Sequence, residues 1–259
     1  MIVAVATQKG GSAKTTTVVN LGAALGAAGH RTLVVDLDGQ GHASHWLRGA
    51  DGRHRGPFVQ DWLEGRAAAA DVVRPTRWPH LDVVPTNLAL NGLRDRLEAT
   101  QRADGRRLLA DHLRALRDRY AWVLLDCPAG LNALAINALV AAEGVLIPVA
   151  PPEPLAVDGA FHLLQTVERI AQATPPGPSV LGVLVANTQP RRAAERRHVD
   201  RLRTRGLPVF ASQIPASARV ATAAAAHRPL IAHAPGSPAA VAYHALAAEL
   251  AALTGRNAA

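Results

Sequence analysis

Only two lysines occur among the 259 residues, which otherwise take positive charge from arginine, and both fall in Gln8-Lys9-Gly10-Gly11-Ser12-Ala13-Lys14-Thr15-Thr16. That clustering says the segment needs ammonium groups. Small residues let backbone N–H groups curl around an anion, and the start of a helix adds the positive end of its dipole. Lys14 is then placed to reach β/γ-phosphate oxygens. Thr15 offers a hydroxyl to Mg²⁺, which keeps several waters and needs few protein ligands. Three aspartates complete the chemistry. Asp36 and Asp38 stand one residue apart in VVDLDGQG, and Asp126 closes WVLLD. At a period of two, Asp36 and Asp38 point to the same side of a strand end. Asp126 is placed to hold the water shell of the metal. One aspartate at a strand end is often only a helix cap. Three of them beside a lysine-bearing glycine loop describe an ATP–Mg²⁺ site. The loop departs from G-x-x-x-x-G-K-[ST], with Gln8 at its first position, Lys9 directly after it, and Ala13 where the second glycine is usual.

These groups converge only if strands deliver them to one edge. Ile2–Ala6, Arg31–Asp36, Leu81–Val84, Trp122–Asp126, Val145–Val149 and Val180–Ala186 are short, apolar and rich in valine or leucine, and are predicted strands. Helical stretches lie between them: Lys14–Ala28, stopped by Gly29, then Arg106–Tyr120 and Val157–Ala173. The alternation predicts an α/β fold: a doubly wound, mostly parallel sheet with helices on both faces. Right-handed crossovers place the strand C-terminal ends on one edge, where ligands bind. Gly39–Arg55 reads as an irregular, switch-like segment. Pro148–Pro154 and Pro175–Pro178 read as loops within one domain spanning residues 1–259. Ala239–Ala259 reads as a terminal helix and a disordered end.

Composition removes whole classes. With 49% hydrophobic and 19% charged residues, the chain can bury a large core. A lone Cys127 excludes a disulfide framework and a cysteine-based metal or cluster site within one chain. The N-terminus is not a signal peptide, and no apolar run is long enough to span a bilayer, so a soluble cytoplasmic protein is expected. The net charge of +8 favours polyanionic partners. Between Arg191 and Arg205, seven arginines face two acids. That run reads equally as a solvated helix and as a nucleic-acid surface. Trp46 and Trp62 read as cover for the sheet or as dimer-face contacts.

The segment KGGSAKTT resembles the deviant Walker A loop of the ParA/MinD family of P-loop ATPases, and VVDLDGQG resembles their next acidic motif. WVLLDCPAGLNALAINALVAAEGVLIPVAPPEPLAVDGAFHLLQTV is similar in order and spacing to their Walker B region and its sequel. Ile214-Pro215 ahead of Arg219, with a terminal helix, extends the resemblance over almost the whole chain.

The resemblance implies the P-loop NTPase fold of deviant Walker A type, with ATP and Mg²⁺ as cofactors. Gly10, Gly11, Ser12 and Ala13 would line the phosphates, Lys14 would bind the β/γ-phosphate of its own subunit, and Thr16 would lie next to the α-phosphate. Lys9 would reach across a nucleotide-sandwich homodimer to the partner's phosphates. Asp38 would position or activate the attacking water, with Thr15, Asp36 and Asp126 at the metal or its shell. Asn187 and Pro215 would line the adenine pocket. Arg191 and Arg219 fall where ParA-type proteins place arginines that bind double-stranded DNA nonspecifically, and Arg192, Arg196 and Arg197 share the basic run. Three departures stand out: Ser12-Ala13 for Val-Gly, Gly39 for a proline after Asp38, and Ala129 for a second proline after Pro128. Ala13 would be strained if its φ is positive, and Gly39 is expected to loosen the switch loop.

The implied task is ATP-dependent dimerisation on nucleoid DNA that segregates or positions a plasmid, chromosome region or other cargo. Hydrolysis would be weak alone and stimulated by a ParB-like partner. The alternatives are a MinD-like membrane-associated positioner, or a ParA-like positioner of a protein cluster or organelle. A MinD-like anchor needs a basic amphipathic C-terminal helix, and Ala245–Ala259 carries only Arg256 among mostly alanines. No helix-turn-helix extension precedes Ile2, so operator-specific autoregulation is not expected.

Overall fold

Runs such as IVAV, TLVVD and WVLLD have no polar alternation, the pattern of strands buried on both faces. In the computed structural model, which describes residues 1–47, 55–100, 104–150, 154–189 and 193–256, they form the middle of one sheet. Its strands are β1 (Ile2–Val5), β2 (Thr32–Asp36), β3 (Arg74–Pro75), β4 (Leu81–Val84), β5 (Trp122–Asp126), β6 (Gly144–Val149), β7 (Ser179–Thr188) and β8 (Ile214–Pro215). They lie in the order β3-β4-β2-β5-β1-β6-β7-β8. Every pairing is parallel except β3 with β4, which closes one edge.

The helices follow as α1 (Lys14–Ala27), α2 (His42–Trp46), α3 (Val59–Leu63), α4 (Ala69–Val72), α5 (Leu90–Thr100), α6 (Leu108–Leu113), α7 (Ala133–Ala141), α8 (Pro154–Ala173), α9 (Ala193–Thr204), α10 (Arg219–Ala225), α11 (Leu230–His233) and α12 (Pro238–Leu253). Period-two alternation divides the core. Val3, Val5, Val34 and Leu124 face α1, α2 and α10–α12. Ile2, Ala4, Leu33, Val35 and Leu125 face α3–α9. The doubly wound fold expected from the sequence is the fold observed.

Three local differences have physical causes. The expected helix Arg106–Tyr120 is α6 followed by a tighter 3₁₀ stretch, Arg114–Arg119. Leu109, Leu113 and Leu116 keep one buried face through both stretches, and the tightening falls at the C-terminal end of the run, where 3₁₀ turns are frequent. Pro148 lies inside β6 instead of in a loop. It is tolerated there because β1 pairs with β6 only as far as Val5↔Leu146, so no strand asks Pro148 for an N–H on that side. Within Gly39–Arg55, α2 is ordered helix, and residues 48–54 lie outside the described residues. Gly29 ends α1 as expected, at φ +87°. No helix among the described residues is long and apolar enough to cross a membrane.

Candidate nucleotide site

The strand order builds the site. β5 lies between β2 and β1, and the register sets Asp126 beside Asp36 on one flank and Val5 on the other. The loop leaving β1 and the two strand-end carboxylates therefore share one edge. The chain leaves β1 toward β2 and later leaves β5 toward β6, so this edge is also where the winding reverses and ligands bind.

The loop is shaped by two hydroxyls that converge on Lys9. Thr7 Oγ1 and Ser12 Oγ donate to the Lys9 carbonyl at 2.8 and 3.0 Å, and the Lys9 N–H donates back to Thr7 Oγ1 at 3.0 Å. Ser12, a departure from the family pattern, thus supplies a hydroxyl that holds the loop. Gly11 (φ +76°) and Ala13 (φ +65°) both adopt the left-handed conformation. Ala13 is the N-cap of α1 and makes no side-chain cap, which leaves the helix N-terminus open to an anion. The strain anticipated for alanine is present; a left-handed non-glycine residue costs roughly 1 kcal/mol. Lys14 is buried, with Nζ donating to the Lys9 carbonyl at 3.4 Å.

The carboxylates divide into two tasks. Asp126 Oδ2 accepts the Thr15 hydroxyl at 2.8 Å, while Oδ1 is buried with no hydrogen-bond partner. An orphaned carboxylate oxygen beside a threonine hydroxyl suits a magnesium ion that keeps its waters. Asp36 instead gives both oxygens to the loop that follows it. Its Oδ2 accepts the Ser44 N–H at 2.8 Å and the Ser44 hydroxyl at 2.7 Å, and its Oδ1 accepts the Asp38 N–H at 3.2 Å. Burial raises the Asp36 pKa to about 6, aided by the Asp38 charge and opposed by the Ser44 hydrogen bonds. Burial and the neighbouring Asp36 push Asp126 well above the usual carboxylate range, against the pull of Thr15 and Lys14. Such a pair is a place for a cation.

Asp38 is half-buried, and its Oδ1 accepts the Gln40 N–H at 3.0 Å. The switch loop is not slack at Gly39. That residue is buried, and a Cβ there would stand 2.6 Å from Asn91 Oδ1, so the missing proline makes room for α5.

A cavity of about 710 Å³ opens over this edge, within the size range of small-molecule sites. Gly10 through Thr16, Asp38, Asn187 and Pro215 all line it, as the sequence reading expected. Asn187 is exposed at φ +58°, where the register between β7 and β8 shifts. Lys9 is exposed and lies outside this lining, beside a smaller recess of about 50 Å³ with Pro148 and Gly159. Sequence reasoning missed Thr7, His42, Ser44 and Tyr243, whose types carry no signal without the fold. Trp46 covers the sheet as read, buried in the core on the α1 side, and it also borders the nucleotide cavity and donates Nε1–H to the Arg228 carbonyl at 2.9 Å.

Of the arginines predicted to meet DNA, Arg197 on α9 and Arg219 at the start of α10 are exposed. Arg191 and Arg192 lie outside the described residues, as does the Arg196 side chain. Arg205, also in the basic run, is paired with Asp158 at 2.5 Å.

A family model described as an AAA domain matches residues 1–177. The chromosome partitioning protein ParA of Caulobacter vibrioides is 36% identical over 233 residues, which covers 89% of this chain and 86% of that protein. The chain belongs to the ParA/MinD family of P-loop ATPases. The sporulation initiation inhibitor protein Soj of Bacillus subtilis is 34% identical over 252 residues, covering 97% of this chain and 98% of that one. Among solved structures, a Mycobacterium smegmatis protein described as cobyrinic acid a,c-diamide synthase, with ADP and magnesium bound, superimposes with a TM-score of 0.83. It is 32% identical and covers 99% of this chain and 97% of its own. As a member of this family the chain is an ATPase, and its phosphate loop, Thr15 and the orphaned Asp126 oxygen suit ATP with Mg²⁺.

Proposed function

We propose that the protein is a ParA-type positioning ATPase working as one domain, in which ATP joins two copies into a dimer that holds nonspecific DNA. The observation that carries this reading is the division between the two lysines. Lys14 is buried at the nucleotide cavity, whereas Lys9, in the same loop, is exposed and outside its lining. An exposed ammonium outside the chain's own cavity supports contact with phosphates held by a second copy. Lys14 and the open N-terminus of α1 take the chain's own β/γ-phosphates, Thr16 lies by the α-phosphate, and Asn187 and Pro215 border the adenine. Magnesium, when bound at Thr15 and the Asp126 side, neutralises charge on the phosphoryl oxygens. Asp38 orients the attacking water, and Asp36 holds the loop on which Asp38 sits. Catalysis of this kind is positioning and charge stabilisation, so turnover is slow until a ParB-like partner completes the arrangement.

The net charge of +8 and the exposed Arg197 and Arg219 support contacts with DNA phosphates, and hence association with the nucleoid in the cytoplasm. The name of the Caulobacter vibrioides ParA relative supports partitioning as the task.

The test is binding to random-sequence duplex DNA with ATP, ADP or no nucleotide across a salt series. Lys9→Ala is expected to keep ATP affinity while losing ATP-dependent dimerisation and ATP-dependent DNA binding. Normal dimerisation of that variant on ATP would sink the role given to Lys9. Native protein that fails to bind DNA in every state would remove the DNA reading.

A further inference from the structure

We propose that Ser44 is a positioning residue for hydrolysis, setting Asp38 through the Asp36 carboxylate without itself meeting the nucleotide. The inference rests on Asp38 orienting the attacking water. Ser44 does not line the nucleotide cavity and is 4% exposed, on α2. The direction of its hydroxyl is forced. An ionised carboxylate only accepts, so the single hydroxyl proton goes to Asp36 Oδ2 at 2.7 Å, and Ser44 Oγ in turn accepts the Thr86 N–H at 2.9 Å. The Ser44 N–H joins it on the same oxygen at 2.8 Å.

The other oxygen of Asp36 accepts the Asp38 N–H at 3.2 Å. One fully buried carboxylate therefore closes the loop from Asp38 to Ser44 at both ends, and Thr86 braces it from the exit of β4. Hydrogen bonds to a charged group shielded from water are among the stronger ones. Removing the hydroxyl takes one donor from Asp36 and leaves the buried Thr86 N–H without this acceptor. The loop then loses the anchor opposite Asp38, and Asp38 drifts from the line of attack.

The test compares the full-length native chain with Ser44→Ala, Ser44→Thr and Asp38→Ala. Single-turnover hydrolysis of Mg-ATP with protein in excess, equilibrium ATP affinity and a thermal melt are read for each. S44A is expected to slow hydrolysis about tenfold or more with ATP affinity within about threefold of native, and S44T, which keeps the hydroxyl, to recover most of the rate. Native-rate hydrolysis by S44A overturns the proposal, as does equal slowing of S44A and S44T. D38A separates the two layers. If D38A hydrolyses normally, the reading of Asp38 falls. If D38A is dead and S44A is native, only the role of Ser44 falls. Should S44A not fold, Ser44→Cys gives the same decision, because the thiol keeps the volume and donates weakly: slowed hydrolysis with retained affinity supports the proposal, and a native rate overturns it.

Discussion

Ala13 holds a backbone conformation that glycine reaches freely and alanine does not, at φ +65° immediately before the phosphate-binding lysine. Ala13→Gly is expected to stabilise the protein by about 1 kcal/mol, less the backbone entropy glycine gains when unfolded, which is roughly a 2–4 °C rise in melting temperature at most. Differential scanning calorimetry reads it, and a lowered melting temperature would mean that the strain is not stored at this residue. At this scale the sequence was legible wherever a side chain announces its chemistry. Lys14, Thr15, Asp38 and Asp126 could be placed together at one edge from type and spacing, whereas the task expected of Asp38 came from the family resemblance. Asp36 could be placed but not given its task, because its partners on Ser44 lie eight residues on, in a helix the sequence does not advertise. Thr7 and Ser12 are similar cases. Their hydroxyls hold Lys9 by backbone contacts that leave no trace in residue type.

Elements were readable where they are long, apolar and regular, which is why the central strands and α1 appear within a residue or two of expectation. The helix α2 was not readable. HASHW carries no capping residue of its own, since Gly41 precedes it and its cap is the Asp36 carboxylate at the end of β2. Its far end is fixed as remotely, by Trp46 Nε1 on the Arg228 carbonyl. The contact between α5 and the switch loop is likewise tertiary. Asn91 fills the space over Gly39, so a proline there, as the family pattern has it, would collide with Asn91 Oδ1. Gly39→Pro alone is expected to lower stability by about 1 kcal/mol or less, because the Asn91 amide is the end of a partly exposed side chain that can turn aside, and Gly39→Pro with Asn91→Ala to recover the loss. Additive losses in urea unfolding of the single and double variants would show that the collision is not the cause.

For the molecule as a whole, charge was easier to count than to locate. The excess of arginine gives the sign of a partner, but an arginine-rich helix reads the same whether it faces DNA or water. The fold narrows this by spending Arg205 on Asp158 and leaving Arg197 and Arg219 exposed. Replacing Arg197 and Arg219 together with alanine is expected to weaken DNA binding alike on all sequences. It should also flatten the salt dependence by about 1.8 in the log–log slope if each meets one phosphate. Binding to DNA at graded salt measures both quantities, and an unchanged slope would move the contact surface elsewhere on the molecule.

The two lysines of the phosphate loop have a practical consequence for chemical labelling. Apart from the terminal amine, an acylating reagent finds only two primary amines in this chain, one exposed and one buried at the floor of the nucleotide site. In most proteins such a reagent scatters over many surface lysines and reports on nothing in particular. Here every amine adduct on a side chain falls on the loop that holds the phosphates, so fragmentation of the one labelled peptide records which of the two ammoniums is covered.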